Sequence, residues 1–112
     1  MDPAQTFRES RLKLLKFFAS PSEQREWQRR VPSLGIDEPM EWWLEDFVPE
    51  SELFRSSFSE QERHLLTEFT DVLQHASGIY ANPPYPSVDE ALRSSAGLAV
   101  VDAARVLTGM LK

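Results

Sequence analysis

Cysteine is absent from the 112 residues. Disulfides, thiolate metal sites, a cysteine nucleophile and a thiol redox switch are thereby excluded, and with them the composition of a small secreted scaffold. A reducing, cytoplasmic setting is the expectation. Glycine is also scarce, and the four that occur, Gly35, Gly78, Gly97 and Gly109, stand alone, so no glycine-rich phosphate loop is encoded. No apolar run reaches the about 18 residues that a membrane span requires. The apolar cluster at 12–19 is broken by Lys13 and Lys16 and does not read as a signal peptide. Cations are outnumbered: 12 Lys and Arg face 18 Asp and Glu, for a net charge of −6 and a pI near 4.9. Nonspecific nucleic-acid binding needs phosphate neutralisation by cations and is disfavoured. Membrane-surface binding is disfavoured too, because Asp2 and Glu9 dilute the basic first helix.

What is present is the composition of an ordinary globular domain, 41% hydrophobic and 27% charged. A chain of this length forms one domain, here 1–112, and buries roughly two-thirds of its unfolded surface without covalent staples. Three Ser-x-x-Glu capping boxes, Ser20/Glu23, Ser59/Glu62 and Ser87/Glu90, predict helix starts. Asp2-Pro3 and Ser20-Pro21 add proline at the first helical position, where its missing N–H costs nothing. Helices are predicted at about 3–18, 21–31, ten residues from Asp37, and 60–77, with Gly78 as a left-handed cap and Ile79 as its apolar partner. A single turn in 50–58 brings Leu53, Phe54 and Phe58 to the core. The proline-rich stretch 81–86 is predicted as an extended connector. Beyond it Val88, Ala91, Leu92, Leu98, Val101, Ala104, Val106, Leu107 and Leu111 face inward, with a break into two helices allowed at 94–97. No alternating β-type run occurs. The fold class is all-α, a compact bundle of about five helices with antiparallel neighbours.

Charge is unevenly placed. Residues 37–90 hold thirteen acids and only Arg55 and Arg63, whereas 1–36 and 91–112 are both net positive. Seven acids, Asp37, Glu38, Glu41, Glu45, Asp46, Glu50 and Glu52, fall within sixteen residues. Such a cluster is either a solvated face that confers solubility or a surface for a cationic partner, where complementary potential steers association. The aromatic pair beside it bears on the choice. If Met40, Trp43, Leu44 and Phe47 form the buried stripe of the third helix, rotation by 100° per residue turns Trp42 outward among Glu38, Glu41, Glu45 and Asp46. Tryptophan inside a polar rim is the usual anatomy of a binding hot spot. Packing of Trp42 under the connector or another helix is the alternative. Tyr80 and Tyr85, flanking the prolines, are secondary contact candidates.

Catalytic constellations are wanting. His64, Glu68, Asp71 and His75 share one strip of a helix, at a spacing suited to a divalent metal or simply to a charged outer face. No Glu-x-x-His motif accompanies them. The chain is expected to be no enzyme and to need no metal or cofactor.

The stretch Trp42-Trp43-x-x-Asp46-Phe47, then Phe54, then Phe58-Ser59-x-x-Glu62-x-x-Leu65-Leu66-x-x-Phe69 resembles the small acidic helical proteins that bacteria encode as immunity partners of polymorphic toxins. The resemblance covers about a third of the chain. It implies a protein that occludes a cognate toxin domain, often a nuclease with a cationic cleft, without chemistry. The residues lead to the same expectation: a basic protein partner bound through Glu38, Glu41, Trp42, Glu45, Asp46, Glu50 and Glu52. The alternative is a helical adaptor or regulatory subunit, monomeric or a homodimer joined through exposed apolar residues such as Leu12 or Phe17.

Overall fold

The computed structural model describes residues 2–81 and 85–111, so Asn82, Pro83 and Pro84 of the expected connector lie outside the described residues. Those described form helices α1 (Pro3–Ala19), α2 (Pro21–Arg30), α3 (Asp37–Glu45), α4 (Glu52–Ser57), α5 (Glu60–Ile79), α6 (Val88–Leu92) and α7 (Ser95–Met110), with no strand among them. The all-α class stands, but the count is seven where about five were expected. Two serines account for the difference. Ser51 accepts from the Phe54 N–H and starts α4, and Ser94 accepts from the Gly97 N–H and divides α6 from α7.

Capping chemistry sets most boundaries. Ser59 and Ser87 form complete boxes with Glu62 and Glu90. Ser20 forms half of one, because its own N–H already donates to the Phe17 carbonyl at the end of α1 and leaves Glu23 nothing to accept. Gly78 is no left-handed cap: α5 runs through it to Ile79, which is exposed, and Tyr80 closes the helix by donating its N–H to Ala76.

α7 packs against both α1 and α5, and α4 lies against α1. The core runs through Leu15, Phe18, Met40, Trp43, Phe54, Leu66, Phe69, Leu73, Val100 and Ala104. Three expected core residues are exposed instead, Leu53, Leu98 and Val106. Phe54 and Ser57 are the inward residues of α4, and in α7 the buried line is Gly97, Val100, Val101, Ala104 and Leu107. Gly97 fixes that rotation, since a Cβ there falls within the envelope of the Ala91 carbonyl. Gly97→Ala is therefore expected to cost roughly 1–3 kcal/mol by overpacking against backbone. Gly78→Ala, where an added Cβ meets nothing, is expected to raise stability slightly. Thermal denaturation of the two variants checks both signs.

Side chains bind the helices where backbone groups run out. Gln24, buried, donates to the carbonyls of Phe17 and Phe18 at the end of α1. Gln28 donates to Val31 and Leu34 and accepts from the Val88 N–H, joining α2 to the following loop and to α6. Arg8 of α1 grips both oxygens of Glu62 at 2.9 and 2.8 Å and lies over the Phe58 ring.

The bond from Arg8 is the main reason the Glu62 carboxyl is held down at about 2 against an ordinary 4.5, with the Ser59 N–H adding to it and burial opposing it. Because the folded value lies below the unfolded one, this stabilisation is complete above pH 4.5 and is lost as pH falls toward 2. Glu62→Gln is expected to melt below the wild type at neutral pH, with the gap closing in that acid window. A gap that persists at the acid end contradicts the assignment.

Candidate interaction face

Trp43 determines how α3 presents its outer side. It is fully buried, its ring edge-on to Phe69 at 5.1 Å and to Phe18 at 6.4 Å, and stacked on Phe47 at 6.3 Å. Its Nε1–H donates to Thr70 Oγ1 at 2.8 Å, and that hydroxyl donates in turn to the Leu66 carbonyl. A buried indole with its one donor satisfied fixes the rotation of the helix about its axis.

With Trp43 inward, Trp42 turns out and is 38% exposed. It is not free on all sides: its ring stands edge-on to Trp27 of α2 at 5.8 Å, and Trp27 stands edge-on to Phe17 of α1 at 6.1 Å. Trp42 thus packs on a neighbouring helix while keeping a face in solvent. Together with Leu14 and Val31 these rings wall an open groove of about 590 Å³ between α1, α2 and α3. Lys13, Arg30, Glu23 and Glu26 also line it.

No family model, curated protein or solved structure matches this chain.

Glu41 and Glu45, one residue before and three after Trp42, are exposed on α3, and no ion pair engages them among the described residues. Glu38, one turn before Trp42, is half-buried. Asp46, which caps the helix, has a second duty. Arg11, buried on α1, reaches over to donate to the Trp42 carbonyl at 3.3 Å and to Asp46 at 3.4 Å, with its guanidinium beside the rings of Phe7 and Trp43. Burial pushes the Arg11 pKa down and the Asp46 charge opposes that shift. The cation also offsets the negative end of α3, where Glu45 and Asp46 run against the helix dipole.

Glu50 lies elsewhere, beside Arg55, Arg63 and His64 in a cleft at the start of α5, and Glu52 occupies the first turn of α4, where the dipole favours a carboxylate. The seven expected contact residues therefore divide: five belong to α3 and its cap, and two follow the turn. Tyr80 is corrected from a contact to a core residue, because it is buried and its hydroxyl pairs with Ser94. Tyr85 is exposed and lies beside Gly35. His64, Glu68, Asp71 and His75 are all exposed on α5, and no three His, Asp or Glu side chains converge among the described residues. None of the described helices is long and apolar enough to cross a membrane.

Two features escaped the sequence reading. Arg11 stands between Phe7 and Leu15 at i, i+4 and i+8, on the apolar stripe of α1, and that position signals its burial. The groove left a weaker trace: Phe17 and Trp27 are large apolar residues on helices whose charges dominate, and only the folded arrangement brings them to Trp42.

Proposed function

We propose that this chain is a non-catalytic binding protein that neutralises a cationic protein partner. Trp42 and the adjoining groove anchor an apolar side chain of that partner, while Glu41 and Glu45 accept from Lys or Arg around it. The observation that carries this reading is the exposed edge of Trp42 at the mouth of an aromatic groove, flanked by two carboxylates with no internal partner. An exposed indole in an acidic rim contributes nothing to solubility and matches the anchor-and-rim anatomy of interfaces. The sequence resemblance makes a bacterial toxin domain the partner of choice, with this chain as its cytoplasmic immunity protein and carboxylates standing where a nuclease would hold phosphates. Exposed apolar residues on α7 favour the alternative of a helical adaptor or regulatory subunit.

The test compares wild type with Glu41→Lys/Glu45→Lys as bait in lysate of the source organism. Asp46 is left in place, because reversing it unpairs buried Arg11. A basic protein retained by the wild type and lost by the variant, whose helical spectrum is unchanged, is the expected result. Equal retention by both reduces the acids to a solvated face.

A further inference from the structure

The groove between α1, α2 and α3 carries a charge pattern that its aromatic walls do not explain. Five charged side chains line it, Arg11, Lys13 and Arg30 against Glu23 and Glu26. Two of them are already matched, Arg11 by Asp46 at 3.4 Å and Glu26 by Arg29 at 2.7 Å. Lys13 and Arg30, both exposed, enter no ion pair among the described residues, and neither does Glu23. The groove thus holds two free cations and one free carboxylate in a chain whose net charge is −6. Their order follows from helix geometry. α1 and α2 meet at Ser20, and their rings touch at Phe17 and Trp27. From that contact Lys13 lies about 6 Å back along α1 and Arg30 about 4.5 Å on along α2, both away from the joint, whereas Glu23 lies about 6 Å toward it. The free cations therefore share the end remote from Ser20.

We propose that this groove binds a small amphipathic carboxylate, an alkyl or aryl chain with one anionic end. The chain lies on Leu14, Phe17, Trp27, Val31 and Trp42, and the carboxylate meets Lys13 and Arg30 at the remote end, where a planar guanidinium can donate to both of its oxygens. Charge selects this occupant. Two free cations less one free carboxylate leave a single positive charge, which one carboxylate neutralises. An amphipathic cation meets Lys13 and Arg30 with the wrong sign, and a neutral one leaves both unmatched. Size agrees, since about 590 Å³ falls within the roughly 300–1,000 Å³ of small-molecule sites. The protein partner proposed above enters the same groove, but this inference does not rest on that reading, because Glu41 and Glu45 take no part in it.

The experiment is an NMR titration of the purified full chain with decanoate, decanol and decyltrimethylammonium, each below its micellar concentration. Decanoate is expected to shift the indole N–H signals of Trp27 and Trp42 saturably, with a Kd at or below about 0.1 mM, and to leave in place that of Trp43, which is buried and bonded to Thr70. The other two amphiphiles, with the same chain, are expected to bind at least about tenfold more weakly. Lys13→Glu/Arg30→Glu is expected to weaken decanoate binding at least about tenfold with the melting temperature unchanged. Lys16→Glu/Arg93→Glu alters the net charge equally at exposed positions outside the groove and is expected to keep the affinity within about twofold. No shift at Trp27 and Trp42, equal binding of the three amphiphiles, or equal loss in the two double variants overturns the proposal. None of these readings involves a protein partner, so their failure leaves the function proposed above untouched.

Discussion

Trp43→Ala is expected to remove about 3–5 kcal/mol of stability, a large share of the roughly 5–15 kcal/mol that holds a domain of this size folded. The residue is fully buried and touches the rings of Phe18, Phe47 and Phe69, which belong to α1, the turn after α3, and α5. Alanine opens a cavity where three elements meet, and those rings cannot collapse into it without moving their helices. It also strands Arg11, whose guanidinium lies 5.6 Å from the indole, in a looser and wetter setting. Urea denaturation measures the loss. A cost below about 1 kcal/mol would show that α3 does not lock onto the core through Trp43.

The adjacent substitution is expected to have the opposite profile. Trp42→Ala leaves the core untouched and forfeits an edge contact with Trp27, a loss of about 1 kcal/mol in stability. Its effect on the retained partner is much larger, more than about 2 kcal/mol, which is some thirtyfold in affinity. The difference between neighbours comes from rotation alone. One indole is the helix's hold on the protein and the other is what the helix offers to solvent. Titration calorimetry with the retained protein, beside a melting curve of the same variant, separates the two effects. A Trp42→Ala protein that unfolds assigns the residue to the core, and one that binds undiminished removes the anchor from the proposed function.

Much of this organisation is legible along the chain, since it rests on local chemistry. Ser59 and Ser87 with their glutamates announce α5 and α6, and Asp2-Pro3 and Ser20-Pro21 announce α1 and α2. The period of Met40, Trp43 and Phe47 foretells which tryptophan faces in. What escapes is set by neighbours distant in sequence. α7 is apolar on nearly every side, so its period does not reveal its inward face, and the contact of Gly97 with Ala91 decides that Leu98 and Val106 point out. Ser20 carries both signals of a capping box, yet the box half-forms because a helix ends where the next begins. Asp46 looks like one more surface acid until Arg11, thirty-five positions earlier, is seen to reach it. Tyr80 shares the connector's surroundings in sequence but finds Ser94 in space.

The proposed function rests on recognition of a cationic protein by the charge on α3. Its most direct test is the dissociation constant of the retained partner at about 0.05 M and about 0.5 M salt, for wild type and for Glu41→Lys/Glu45→Lys. Wild-type binding is expected to weaken steeply with salt, and the charge-reversed variant to bind far more weakly at the lower concentration. Binding that ignores both salt and charge reversal, or the absence of any basic partner to titrate, contradicts the claim.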